Sequence, residues 1–279
     1  MIFVTDKGRL CNNILQYGHL YAWAREHGRQ TVSMRFAYKY RNFHICHTRH
    51  HHFLVYVIVK LAARLRLIPT VEFNDWSFTS DYTEQQQTML TQRHVLATGW
   101  CVRFYDLFEK YKGEIQELFA FDDKVIKTVE RKIHCSPDDT TIRLGVHIRR
   151  GDYATWCGGH YFYNDEQYAS QIQQFCRLFP DKQIEIFICG NDPELNKDLY
   201  QQSFEPGHVH FPNGTPTEDL CLLSCCQYLI GPPSTFTLIA SMYHDSRLYW
   251  MLDATTPLQL SAFRQFDELS RTFDSLYIG

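Results

Sequence analysis

Three short polar clusters hold the residues of this sequence best suited to chemistry. Arg149-Arg150-Gly151-Asp152 sets two guanidiniums beside a carboxylate, and Gly190-Asn191-Asp192-Pro193 joins an amide to an acid in a turn-forming setting. Gly231-Pro232-Pro233-Ser234-Thr235 places two hydroxyls at a helix start. A guanidinium fork binds phosphate oxygens in pairs, and a helix N-terminus turns backbone N–H groups and a positive dipole end toward an anion. One on each of two strand ends would clamp a diphosphate from two sides. Each cluster also has a purely structural reading: Ser234 and Thr235 as N-caps, Asp192 as a cap, and Arg149, Arg150 and Asp152 as a surface ion pair. The residue pattern by itself supports a phosphate-bearing ligand and goes no further.

The elements that must position these clusters read as an alternation of short β-type runs and helical patterns, the mark of α/β architecture. Ile2 to Thr5 is a predicted strand, followed by a loop and a helix whose apolar residues Ile14, Tyr17, Tyr21 and Ala24 recur at helical spacing before Gly28. Thr31 to Phe36 is the next strand. Cys135-Ser136-Pro137-Asp138-Asp139 is the best linker, which divides the chain into domains 1–137 and 138–279, with the last helix packing back on the first. In the second half, strands are predicted over 142–147, 184–189, 228–230 and 247–252, and helices over 166–179 and 234–243. Thr215-Pro216-Thr217-Glu218 is a capping box with proline at the first helical position, so another helix starts there. The three polar clusters then fall at the carboxyl ends of three strands, where open α/β sheets bind ligands.

Composition narrows the classes. With 279 residues, 44% hydrophobic, 21% charged and net charge −3, the chain is globular and has no bulk basic field for nucleic acid. The N-terminus has no basic lead or long apolar region, and the longest apolar run, Phe53 to Val59, is far short of the roughly 20 residues that span a bilayer. These features point to a cytoplasmic protein, or one touching a membrane only at its surface. The amphipathic segment Leu54 to Leu67, with Lys60, Arg64 and Arg66, suits either membrane-surface contact or packing on a sheet. His44, His47, His50, His51 and His52 read as a solvated, partly basic loop rather than a metal site, since no partner ligands stand at suitable spacing. The ten cysteines read as reduced apolar residues, three of them (Cys221, Cys225 and Cys226) in one predicted helix.

His147-Ile148-Arg149-Arg150-Gly151-Asp152-Tyr153 resembles the HxRRGD segment of the fucosyltransferase superfamily that makes α-1,2 and α-1,6 linkages and protein O-fucose. Further matches point to its α-1,2 branch, family eleven of the glycosyltransferases. Gly8-Arg9-Leu10-Cys11-Asn12-Asn13-Ile14-Leu15-Gln16-Tyr17 is similar to the family's opening GRLGNQMFQYA. Gly99-Trp100 with Tyr105, Ile115 and Phe119 resembles its GYWQSEKYF stretch, and Ile186 to Pro193 stands where its FSDD segment falls. Asp219-Leu220, Ser224, Ile230 and Ser234-Thr235-Phe236 resemble its DL…S…INSTF block. The chain departs from the pattern at Cys11, Asn13 and Asn191, in Gly231-Pro232-Pro233, and in Thr237-Leu238-Ile239. These departures bear on acceptor choice and donor-loop detail and spare the phosphate clamp.

The resemblance implies a GT-B fold, two Rossmann-like domains with the donor cleft between them. It implies inverting, metal-independent transfer of L-fucose from GDP-fucose to a glycan hydroxyl, galactose O-2 in the α-1,2 branch, with no cofactor. Carried over residue by residue, Arg149 holds the diphosphate and His147 lies against the nucleotide. Asn191 and Asp192 match the segment that reads the guanosine, Ser234, Thr235 and Phe236 cradle the phosphates, and Asn12 lies near the transferred sugar. The acceptor hydroxyl attacks the anomeric carbon opposite GDP, and Arg149 and the 234 helix take up charge on the leaving phosphate. Asp152, His160 and Asp6 are the candidate general bases, with Asp152 equally suited to orienting Arg149. Another GDP-sugar, another linkage, or a non-catalytic nucleotide or glycan binder remain the alternatives.

Overall fold

The structure is a computed structural model that describes residues 1–5, 8–133, 141–190 and 192–277. The chain divides into two compact units, Met1–Lys124 with the segment from Arg271 onward, and Val125–Ser270. The expected linker, Cys135 to Asp139, lies outside the described residues.

The first unit is built on β1 (Ile2–Thr5), α1 (Leu10–Glu26), β2 (Thr31–Ser33), α2 (Phe53–Arg64), β3 (Thr70–Glu72), α3 (Thr83–Thr91), β4 (Val95–Thr98), α4 (Tyr105–Lys110) and α5 (Lys112–Leu118). Its four strands are parallel in the order β2-β1-β4-β3. Val55, Tyr56 and Val59 of α2 pack on Phe3, Val32, Met34 and Leu96 across the sheet face. Strand β2 stops at Ser33, short of the predicted Phe36. The Ser33 N–H donates to His51 Nε2 (2.9 Å), and the chain coils into turns, with Ala37 N–H reaching Ser33 O (3.2 Å) and Lys39 N–H reaching Arg35 O (2.8 Å). His51 Nδ1 is bonded to Thr48 Oγ1 (2.7 Å), and burial pushes the ring's pKa down to about 4, so this histidine is a neutral structural acceptor. His47 pairs with Asp122 instead (3.0 Å). Asp274, on the returning C-terminal segment, is gripped by Arg103 in a buried two-pronged pair (2.7 and 2.9 Å) and by the Tyr105 hydroxyl.

The second unit opens with α6 (Asp123–Lys132), whose first turn carries the division, and continues through β5 (Thr141–Ile148), α7 (Asp165–Leu178), β6 (Gln183–Gly190), α8 (Lys197–Ser203), β7 (Val209–His210), α9 (Pro216–Ser224), β8 (Tyr228–Gly231), α10 (Thr235–Tyr243), β9 (Arg247–Trp250) and α11 (Phe266–Thr272). Its five strands are parallel in the order β7-β6-β5-β8-β9. Along central β5 the two-residue period sends Leu144, Val146 and Ile148 into a core with Tyr168, Ile172 and Phe175, and turns Gly145 and His147 to the opposite face. A Cβ at Gly145 would come within 2.7 Å of Leu223 Cδ2 on α9 and of Leu229 Cδ2 on β8, so a side chain there would displace both leucines. Helix α9 begins with the predicted capping box of Thr215 and Glu218, with Pro216 in its first turn. It ends at Ser224, so Cys225 is its C-cap and Cys226 lies beyond it; the three cysteines do not share one helix.

The loops that leave the sheet are held by one guanidinium. Arg150 donates to Asp165 Oδ1 (2.6 Å), Asp192 Oδ2 (2.7 Å) and the Tyr163 carbonyl (3.0 Å), tying the exits of β5 and β6 to the start of α7. Asp165 in turn accepts the Tyr200 hydroxyl (2.9 Å) and the Asn196 N–H (3.2 Å). The surface ion-pair reading therefore fails for Arg150, whose side chain is 10% exposed. Asp192 is not a helix cap either: Asn196 caps α8, while Asp192 Oδ1 accepts the Glu194 N–H (3.0 Å) within a turn. Replacing Arg150 by Met strands two buried carboxylates, and urea denaturation should show a loss of about 3–5 kcal/mol. Arg150→Lys should recover only part of it, because an ammonium cannot reproduce the fork.

Candidate functional site

In the second sheet, β6 and β7 lie on one side of β5 while β8 and β9 lie on the other. The β5/β8 pair is therefore the topological switch point, and its carboxyl edge is the crevice where such sheets take ligands. Two segments meet there, the exit of β5 with His147, Arg149 and Asp152, and the start of α10 with Ser234, Thr235 and Phe236.

At the exit of β5 the chain turns at Gly151 (φ +57°), a left-handed conformation that suits glycine, and forms a 3₁₀ turn over Gly151–Ala154. The turn brings Asp152 back to Arg149, Nη2 to Oδ2 at 2.8 Å. It also sets Tyr153 under the Arg149 guanidinium, 4.9 Å from ring centroid to Cζ. The Tyr153 hydroxyl donates to the Pro233 carbonyl, one residue ahead of the α10 cap. One tyrosine thus joins the arginine loop to the helix start. Arg149 Nε is buried with no partner among the described residues.

His147 stacks on Phe236 with centroids 4.7 Å apart and planes inclined by 18°. Burial, and then the Arg149 charge, push its pKa down to about 3, so the ring is neutral at physiological pH. Its Nδ1 is buried and unpaired among the described residues. Gly231 makes room beside it, since a Cβ there would stand 3.0 Å from the His147 carbonyl oxygen and 3.1 Å from Thr237 Cγ2.

Ser234 is the N-cap of α10; its Oγ accepts the Thr237 N–H (3.2 Å) and lies 3.1 Å from Thr237 Oγ1. Trp250 Nε1 donates to that same hydroxyl (3.1 Å). The capping reading of Ser234 is thus realised, and it fixes the direction in which the first-turn N–H groups and the helix dipole point. Thr235 is buried in that turn and Phe236 half-buried.

A cavity of about 280 Å³ opens beside the end of β6, lined among others by Gly190, Asp192, Lys197, Phe211, Asn213 and Asp219. Burial pushes the Asp219 carboxyl up to about 6, against the opposing pull of Lys132. Sequence reasoning did not assemble this group, because its members come from four separate segments; Asp219 stood out only within a longer block. Asn191 lies outside the described residues, as does Asp6. Asn12 sits half-buried in the first turn of α1, in the first unit. Of the base candidates, Asp152 is engaged with Arg149, and His160 is exposed with its ring against Tyr161 (4.7 Å).

Comparison with known proteins agrees with the motifs. The description of Glycosyl transferase family 11 matches residues 1–247. Galactoside alpha-(1,2)-fucosyltransferase 2 of Bos taurus is 24% identical over 262 residues, covering 90% of this chain and 71% of that protein. Galactoside 2-alpha-L-fucosyltransferase SEC1 of Bos taurus is 22% identical over 288 residues, covering 99% and 73%. Among solved structures, an arginine-to-lysine mutant of Arabidopsis thaliana FUT1 in complex with GDP aligns with a TM-score of 0.63 at 13% identity, covering 95% of this chain and 73% of that one. NodZ alpha-1,6-fucosyltransferase co-crystallized with GDP aligns at 0.57 and 14% identity, covering 89% and 94%. These likenesses show the fold to be α/β of the GT-B kind, with two Rossmann-like units built on parallel sheets. With the match running from the first residue through α10 to the start of β9, the chain belongs to glycosyl transferase family 11.

Proposed function

We propose that this chain transfers L-fucose from GDP-fucose to a glycan hydroxyl, galactose O-2 by the names of its relatives, with inversion and without a metal. The observation that carries the reading is the pairing of Arg149 with the start of α10 across the β5/β8 switch point, joined through Tyr153 and Pro233. Support comes from the relatives named as α-1,2-fucosyltransferases and from structural neighbours named with GDP.

In this reading the diphosphate lies between the Arg149 guanidinium and the first turn of α10. Asp152 holds Arg149 in place and is a positioning residue rather than the base. As the glycosidic bond to GDP breaks, negative charge grows on the β-phosphate, and the guanidinium and the helix dipole stabilise it more than they stabilise the ground state. Neutral His147, flat against Phe236, lies against the donor without adding charge that would bind the phosphate too early. The cavity beside β6, with Asp192, Asn213 and Asp219, takes the guanine, whose ring N–H and exocyclic amine suit acid and amide acceptors.

The test is turnover of GDP-fucose, GDP-mannose and UDP-galactose against a glycan acceptor panel, with linkage analysis of the product. GDP binding with no release of GDP from GDP-fucose would overturn the transferase reading. Arg149→Ala should lower kcat about 10²–10³-fold, on the scale of a lost oxyanion donor, with an unchanged thermal midpoint. Asp219 titrates near 6 when folded and lower when unfolded, so its contribution to stability is full at acid pH and is lost as pH rises through 6. Asp219→Asn should flatten that fall between pH 5 and 7, by roughly 1 kcal/mol in urea melts.

A further inference from the structure

Helix α2 is apolar on both sides. Its inner side packs on the first sheet through Val55, Tyr56 and Val59. Its outer side leaves Phe53, Leu54, Val57, Ile58, Leu61 and, just past the last turn, Leu65 between 41% and 61% exposed. At 100° per residue these six positions fall within an arc of about 140°, a continuous stripe rather than scattered side chains. Lys60 and Arg64 run along one margin of it, and Arg66 follows, all three exposed. A soluble helix ordinarily turns a polar face to water; this one turns an apolar stripe with a basic margin.

The sequence on either side of it is as lopsided in charge as the helix is in exposure. Between Glu26 and Glu72 there is no acidic residue, while eight Arg and Lys fall in that interval of a chain whose net charge is −3. Helix α2 has 12 residues, and no helix among those described is long and apolar enough to cross a membrane. A short helix with an exposed apolar stripe and a basic margin fits the plane of a lipid–water interface, with the stripe at the acyl boundary and the cations at the phosphates. A second copy of this chain would bring another basic margin to the same contact and no acid from this stretch to meet it.

We propose that the outer face of α2 docks on an anionic lipid surface, its apolar stripe entering the interface while Lys60, Arg64 and Arg66 meet the headgroup phosphates. This surface belongs to the first unit and the proposed nucleotide site to the second, and the proposal does not depend on which sugar is transferred.

The test is flotation of the full chain with phosphatidylcholine vesicles, with and without phosphatidylglycerol. Binding should require phosphatidylglycerol and weaken with added salt. Leu54→Glu/Ile58→Glu should lower the partition coefficient at least about tenfold. Lys60→Glu/Arg64→Glu should lower it on phosphatidylglycerol vesicles by a similar factor. Circular dichroism shows that the variants fold, and GDP calorimetry in parallel reports separately on the nucleotide reading. A wild-type chain that fails to float with phosphatidylglycerol vesicles overturns the proposal, as does a Leu54→Glu/Ile58→Glu variant that floats like wild type. A dimer in sedimentation that this double variant dissociates, with neither protein floating, would assign the face to a second copy instead.

Discussion

The second unit depends on a buried charge shared three ways. The Arg150 guanidinium answers two carboxylates and a carbonyl, supplied by two separate stretches of chain, Tyr163 with Asp165 before α7 and Asp192 after β6. A buried pair of this kind contributes little net stability over apolar packing, yet it is costly to break. Its role is placement: it sets where β5 and β6 release the chain. The two neighbouring arginines divide the work. Arg150 is spent inward, whereas Arg149 stays at the edge of the sheet, steadied by Asp152 and by the Tyr153 ring.

Much of this second sheet was legible beforehand. Its strands are runs of β-branched and aromatic residues flanked by turn chemistry, and parallel strands buried on both faces leave such a trace. The start of α9 was legible for a different reason, because Thr215, Pro216 and Glu218 are local signals that need no tertiary context. The first unit was less readable. Strands β3 and β4 are only three and four residues long. Helix α3 is polar along most of its length, and α4 and α5 are short, so none offers a period long enough to detect.

The candidate site divides along the same line. Arg149, Asp152, Ser234 and Thr235 stood out because they sit at strand ends, His147 and Phe236 entered through the family motifs, and the sheet order brings all six to one edge. What each side chain does there was not legible. A sequence does not say which of two adjacent arginines is buried, nor that Asp192 faces Arg150 instead of opening a helix. The β6 cavity shows the same limit, since Lys197, Phe211, Asn213 and Asp219 become neighbours only once α8, β7 and α9 are in place. The histidine cluster resolves into separate tasks for the same reason, His51 supporting the end of β2 and His47 pairing with Asp122.

The phenol bridge from Tyr153 to the Pro233 carbonyl has a consequence for selectivity. Because it fastens the Arg149 loop to the opening of α10, the span between the two is set by the fold itself. Little side-chain freedom is left to surrender on association. In the proposed reading, a rigid span of that sort would act as a ruler, favouring an anion long enough to reach both ends over a single phosphate, which touches only one.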